Sequence, residues 1–231
     1  MVTIRGFVKT TMIDYPGKMA SEAFLGGCNM RCPFCHNIEL VKGPDGLESI
    51  SEEEVISFLK KRRKWVDGLV ISGGEPTIHR DLPGFIRKAK DEGFLVKLDT
   101  NGTNPGMVGN LIKEGLLDCI AMDIKSSPGG YEKACGGKVD MKAIRRSVSL
   151  IMNSGLDYEF RTTLVPGIHS SEDVKEIGKW LKGAKKYFIQ QFKSGETLDP
   201  KLKGKPTFSG KELREMADSV SDCFDVVEVR D

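Results

Sequence analysis

Three cysteines, Cys28, Cys32 and Cys35, fall within eight residues of one another in the stretch Gly-Gly-Cys-Asn-Met-Arg-Cys-Pro-Phe-Cys-His-Asn, positions 26–37. Thiolates crowded at a C-x3-C-x2-C spacing bind soft metals, and two kinds of centre compete for them. A structural zinc closes a tetrahedron with four ligands. The nearest fourth ligand is His36, but neighbouring residues rarely reach one ion together, and no second C-x2-C or H-x3-H pair follows. A [4Fe–4S] cube takes one thiolate per iron. Three thiolates then leave one iron open, as a catalytic metal needs and a structural metal does not. The spacing favours the cluster over zinc or a redox dithiol. Cys119, Cys135 and Cys223 stand apart from the group and read as buried free thiols.

Other chemistry-bearing residues follow short apolar runs. Ser72-Gly73-Gly74-Glu75-Pro76 comes after one, Asp99-Thr100-Asn101-Gly102 after the next, and Asp123 with Lys125 ends another. Arg161 and the Val165-Pro166-Gly167 turn close a fifth. Gly73 and Gly74 would let backbone approach a ligand that a side chain would hold off. Asp123 and Lys125 lie two apart on a strand and so share a face. His79 and His169 read as solvated loop residues, and the basic run 60–64 as the solvated C-terminal end of a helix.

These segments need elements to hold them. Strand-like runs cover 19–25, 68–71, 94–98, 117–124, 158–164, 187–192 and 224–229, with helix-like runs at 52–65, 82–92, 107–114, 141–153, 172–181 and 211–219. Ser51 with Glu54 forms a capping box, and Ser171 and Ser209 are placed as helix starts. Strand–helix alternation implies an α/β fold with right-handed crossovers and a parallel sheet, either open or curved into a partial barrel. Such folds place active sites past the C-terminal ends of strands, where the residues above fall. Residues 1–231 read as one domain. Hydrophobic content of 39% and charged content of 29% suit an ordinary globular protein. The net charge of +2 argues neither way about nucleic acid, and neither nucleic acid nor membrane is expected as a partner. No apolar run approaches the roughly 20 residues of a membrane helix. The N-terminal segment lacks a signal peptide's apolar core, so the expected location is cytoplasmic. There, clustered cysteines point to metal or redox chemistry.

The cysteine motif resembles that of the radical S-adenosylmethionine (SAM) enzymes. More narrowly, Asp14-Tyr15-Pro16-Gly17, Gly27-Cys28-Asn29 and Cys32-Pro33-Phe34-Cys35-His36-Asn37 are similar to the glycyl-radical-enzyme activating proteins. The segment 9–18, with 189–192 and 197–200, looks most like the activators of anaerobic ribonucleoside-triphosphate reductase, relatives of the pyruvate formate-lyase activators. The resemblance implies a partial (β/α)6 barrel, a curved parallel sheet with outer helices. It also implies reductive cleavage of SAM at a [4Fe–4S] cluster held by Cys28, Cys32 and Cys35, giving a 5′-deoxyadenosyl radical. Gly73, Gly74 and Glu75 would receive the methionyl amino group. Asp99, Thr100, Asp123 and Lys125 would hold carboxylate, ribose and a monovalent cation near Asp99 and Asp123. Arg161 would contact ribose or adenine, and Phe34, His36 and Asn37 the adenine. The implied partners are a glycyl radical enzyme as protein substrate and a flavodoxin or ferredoxin as electron donor. Activation of pyruvate formate-lyase, or radical chemistry on a small molecule or peptide, is the alternative.

Overall fold

The computed structural model describes residues 1–230. Its frame is one eight-stranded sheet whose spatial order follows the chain: β1 (Ile4–Thr11), β2 (Ala20–Leu25), β3 (Gly68–Gly73), β4 (Leu95–Thr100), β5 (Cys119–Asp123), β6 (Asp157–Leu164), β7 (Ala184–Gln191) and β8 (Phe224–Arg230). From β2 to β8 every pairing is parallel, so the strand C-termini share one edge of the sheet. β1 runs antiparallel to β2, with two register shifts. It is absent from the strand list read off the sequence. Gly6 interrupts it and Val8, Lys9 and Thr10 are exposed, so it lacks the apolar run of a buried strand.

Helices α2 (Glu52–Lys61), α3 (Leu82–Asp91), α4 (Pro105–Lys113), α6 (Met141–Met152), α7 (Ser171–Trp180) and α8 (Gly210–Asp218) follow the expected alternation. Two five-residue helices were not expected: α1 (Ile38–Lys42) and α5 (Tyr131–Cys135). They are too short to show a period. Apolar spacing explains the longer ones. α3 buries Leu82, Phe85, Ile86 and Ala89, the i, i+3, i+4, i+7 stripe of one helix face. The Ser51–Glu54 capping box forms, as does one at Ser209 and Glu212. At α7 the cap is Ser170 rather than Ser171, because Asp173 returns the reciprocal bond. α2 ends at Lys61, short of residue 65. The basic run beyond it is partly engaged: Lys60 and Arg63 both pair with Glu92, at 2.7 and 2.8 Å.

Alternation along the strands divides the sheet into two faces. Val96, Leu98, Ile120, Met122 and Phe160 join the helices in the main apolar core. Their neighbours Lys97, Asp99, Asp123, Glu159 and Arg161 therefore point to the opposite face. Tyr15, from the Asp14-Tyr15-Pro16-Gly17 turn, packs with Ala20, Val70 and Cys119 in a small separate cluster. Register pairs Ala20 with Gly68 and Cys119 with Asp157, near the strand N-termini. The turn thus fills the sheet edge remote from the cysteine loop. No helix among the described residues is long and apolar enough to cross a membrane.

Candidate active site

The cysteine loop leaves β2 at Leu25 and is fastened by main-chain hydrogen bonds from several elements. Gly27 donates to the Leu40 carbonyl of α1 (2.7 Å), and Glu75, past β3, donates to the Gly27 carbonyl (2.9 Å). Arg31 donates to the Cys135 carbonyl at the end of α5 (3.0 Å). From the segment after β7, Leu198 donates to Cys35 (3.0 Å) and Asp199 to Pro33 (2.9 Å). Backbone crowding explains the two glycines after β3. A Cβ on Gly73, whose φ is +115°, would lie 2.4 Å from the Leu25 nitrogen; one on Gly74 would lie 1.9 Å from the Gly27 oxygen. The close approach these glycines permit is to the cysteine loop itself.

Glu75 is buried, and its carboxylate is occupied by its own chain. Oε1 accepts from the Thr77 nitrogen (3.1 Å) and the Thr77 and Thr100 hydroxyls, and Oε2 accepts from the Asn101 nitrogen (2.6 Å). Burial pushes this carboxyl up, and the four donated bonds oppose the rise. The side chain thus locks the loop after β3 to the loop after β4.

Together these loops wall a cavity of about 150 Å³. Cys28, Cys32, Cys35, Phe34 and Asn37 line one side; Gly73, Gly74, Glu75, Asp99, Thr100, Asp123, Lys125 and Arg161 line the rest. The sequence-derived candidates therefore gather around one space, with two exceptions, His36 and the Val165-Pro166-Gly167 turn. His36 is turned away: its ring stacks on Phe192 and its Nδ1 lies 2.9 Å from the Glu196 carbonyl. Adjacent residues on a tight loop point apart, and Cys35 takes the inward side. Met30, Val41, Ser72 and Asn101 also line the cavity. Met30, Ser72 and Asn101 sat inside recognised motifs, whereas nothing in the sequence marked Val41. The Val165-Pro166-Gly167 turn is not part of the wall.

A ladder of alternating charge crosses the cavity floor. Lys97, 1% exposed, pairs with Asp99. Arg161 donates from Nη1 to Asp99 (3.0 Å) and from Nε to Asp123 (2.9 Å), and Lys125 donates to the other Asp123 oxygen (2.9 Å). Burial alone would raise the Asp123 carboxyl, but Arg161 and Lys125 outweigh it and hold Asp123 well below the usual carboxylate range. Burial would likewise lower Lys125, and Asp123 reverses the effect. The guanidinium of Arg161 bridges Asp99 and Asp123, the two carboxylates expected to flank a monovalent cation.

Both remaining histidines depart from the solvated-loop expectation. His169 is buried: its Nδ1 accepts from the Val165 nitrogen (3.0 Å), its Nε2 faces the Lys125 carbonyl (2.7 Å), and its ring meets Phe34 edge-on. Burial lowers its pKa. His79 is half-buried, with Nε2 2.9 Å from the Gly26 carbonyl. Both act as struts for the walls. Cys135 is also not isolated, since it shares the buried apolar cluster of Cys32 and its carbonyl accepts from the Arg31 nitrogen (3.0 Å). All six cysteines are free thiols.

The donor set suits a cube better than a single ion. Among the described residues no three His, Cys, Asp or Glu side chains converge on one point, as a lone metal would require. Each thiol of the loop instead borders a shared cavity, and a cube takes each thiolate on a different iron.

The chain matches the Radical SAM superfamily over residues 23–181. A relative in Methanocaldococcus jannaschii, MJ1227, named for glycyl-radical enzyme activation, is 36% identical over 98% of this chain and 95% of its own length. The pyruvate formate-lyase-activating enzyme of Streptococcus mutans is 27% identical over 82% of this chain and 76% of its own. A GTP 3′,8-cyclase of Halobacterium salinarum is 33% identical over 56% of this chain and 37% of its own. The fold is similar to Streptococcus suis SuiB, with a TM-score of 0.68 at 15% identity over 89% of this chain and 47% of that one. It is also similar to QueE from Escherichia coli, at 0.53 and 17% over 87% of both chains. The parallel sheet with outer helices is thus the partial barrel of radical SAM proteins. The chain belongs to the radical SAM superfamily, as one of its glycyl-radical-enzyme activating enzymes.

Proposed function

We propose that this enzyme installs the glycyl radical of an anaerobic ribonucleoside-triphosphate reductase. The observation that carries the reading is the convergence of three thiols and a charge ladder on one cavity. The choice of target rests on segments 9–18 and 197–200, both of which have definite structural work: Tyr15 plugs the sheet, and Leu198 and Asp199 clasp the cysteine loop.

Cys28, Cys32 and Cys35 would hold a [4Fe–4S] cluster, which would supply the single electron for reductive cleavage of the S–C5′ bond of SAM. The chain's own groups orient that substrate. Lys125 offers its ammonium to the methionyl carboxylate as a point charge. The Gly73-Gly74 backbone faces the methionyl amino group, while Glu75 sets the separation of the two loops from behind. Asp99 and Thr100 receive the ribose, Arg161 lies beside it, and Phe34 with Asn37 borders the adenine. A monovalent cation beside Asp99 and Asp123 requires Arg161 to release one of those carboxylates. Electrons come from a flavodoxin or ferredoxin.

The test is anaerobic reconstitution, reduction, and addition of SAM with an anaerobic ribonucleotide reductase. The expected result is 5′-deoxyadenosine together with a doublet glycyl radical signal on the reductase. Deoxyadenosine without that signal would refute the proposed target. A second reading keeps the chemistry and changes the substrate, to pyruvate formate-lyase or to a small molecule or peptide. The likeness to a formate-lyase activator and to a GTP cyclase favours including both enzyme classes in the same assay.

A further inference from the structure

The Val165-Pro166-Gly167 turn, though absent from the cavity wall, presents a side chain to Lys125. Beyond Asp123, where β5 ends, the chain is held by bonds from the β6 side. The Ile124 nitrogen donates to the Arg161 carbonyl (2.8 Å), and the Ile124 carbonyl accepts from the Thr162 hydroxyl (2.8 Å). The next bond reaches Lys125 itself, whose carbonyl lies 2.7 Å from Nε2 of His169. His169 is buried and anchored twice on Val165. The Val165 carbonyl accepts from the His169 main-chain nitrogen (2.9 Å), and the Val165 nitrogen donates to Nδ1 (3.0 Å). Gly167, at φ +82°, lets the turn close so tightly. These contacts admit one pattern of hydrogens on the ring. Nδ1 faces an N–H and must be bare, whereas Nε2 faces a carbonyl and must carry the hydrogen. A neutral imidazole thus spans the gap from β6 to Lys125, with its ring edge-on to Phe34 of the cysteine loop at 5.9 Å.

We propose that His169 is a positioning residue for SAM binding: its Nε2–H holds the Lys125 carbonyl, and through it aims the Lys125 ammonium into the cavity. The inference rests on the reading that Lys125 receives the methionyl carboxylate. Lys125 lies two residues past the end of β5, beyond the ladder that fixes the strand, and its side chain lines the cavity. An ammonium on a flexible four-carbon stem has little directional preference of its own. Where its charge comes to rest therefore depends on how firmly the main chain beneath it is held. Released by His169, the residue would keep its ammonium bond to Asp123 (2.9 Å) but lose the fixed backbone that sets its reach. His169 touches no part of the substrate in this account and acts only through the lysine.

The experiment compares His169→Asn and His169→Gln, each alone and combined with Lys125→Ala, in anaerobically reconstituted protein whose SAM affinity is read by equilibrium dialysis. Asparagine places an acceptor near the Nδ1 position and keeps the Val165 bond. Glutamine places a donor near the Nε2 position and keeps the Lys125 bond. His169→Asn should weaken SAM binding about three- to tenfold, the worth of one modest hydrogen bond, and His169→Gln should stay within about twofold of wild type. In the Lys125→Ala background His169→Asn should cost no further affinity, because the group it acts through is gone. Additive losses in the double variant would overturn the proposal, since a strut that merely shapes the wall weakens the site with or without the lysine. Equal losses in the asparagine and glutamine variants would overturn it as well. If His169→Asn fails to fold, His169→Gln still decides, since weakened binding there contradicts a retained Lys125 bond. Nitrogen-15 resonances of the imidazole in cluster-free wild type read the hydrogen's place directly, and a hydrogen on Nδ1 would refute the geometry. Normal SAM affinity in Lys125→Ala alone would instead fail the underlying reading of the lysine, and that single variant reports it separately.

Discussion

Glu75→Gln is the sharpest probe of how the cavity is held open. The substitution keeps shape and volume and replaces one carboxylate oxygen by an amide NH2. Each oxygen of Glu75 faces a main-chain N–H, Thr77 on Oε1 and Asn101 on Oε2. Whichever way the glutamine turns, an N–H confronts an N–H. One charge-assisted bond is lost, worth about 1.5–3 kcal/mol, and a buried donor is left without a partner. Turning the NH2 towards Oε2 sacrifices one bond, and towards Oε1 three, so the amide settles on the Asn101 side. The expected destabilisation is about 2–4 kcal/mol. For a chain of this size each kcal/mol lowers Tm by about 2–4 °C, which puts the loss at roughly 5–15 °C. Because Asn101 adjoins Thr100 and Asp99, SAM affinity should fall as well. The assays are thermal unfolding of the cluster-free protein and SAM binding to the loaded one. A Tm within about 1 °C of wild type would refute the view that this carboxylate binds the two loops together.

Other perturbations have equally definite outcomes. Gly74→Ala should prevent cluster assembly, read as iron and sulfide per chain, because its Cβ cannot coexist with the Gly27 oxygen 1.9 Å away. Lys125→Ala should weaken SAM binding while leaving the cluster's absorption in place, since its ammonium hydrogen-bonds Asp123; normal SAM affinity would remove Lys125 from the site. Glu22→Gln tests a buried acid at the plugged end of the sheet. Burial, then Asp14 and Asp99, push the Glu22 carboxyl up to about 8, above its unfolded value. The folded state therefore binds this proton more tightly, and its stability is present below about 4.5 and lost as pH rises through about 8. The glutamine variant should be more stable than wild type by roughly 2–4 kcal/mol at pH 9 and little different at pH 5, by denaturant unfolding.

The chemistry of this protein was more legible than its scaffold. Cys28, Cys32 and Cys35 declare themselves by spacing, and period-2 alternation puts Asp123 and Lys125 on one face before any coordinates are known. β1 was hidden because an exposed antiparallel edge strand needs no continuous apolar run. α5 was hidden because five residues show no helical period, and Cys135 was consequently read as an isolated thiol. Gly73 and Gly74 were recognised, but the partner that demands them, the Leu25–Gly27 backbone, is nearly fifty residues away. His169 was misjudged because its partners, Val165 and the Lys125 carbonyl, meet only through the pairing of β5 with β6. Spacing reports chemistry shared along the chain, whereas burial depends on contacts that spacing does not encode.

The clasp that Leu198 and Asp199 place on Cys35 and Pro33 has a consequence for biogenesis. The ligands emerge early in translation, yet the backbone that holds them is not made until some 160 residues later. A nascent chain must therefore carry three reactive thiols past the ribosome with their mount unfinished. Metal delivery before residues 198 and 199 have been made would meet an incomplete mount, so stable loading follows synthesis of that segment, and replacing the segment 197–200 by a flexible linker should cost iron retention while leaving the sheet in place.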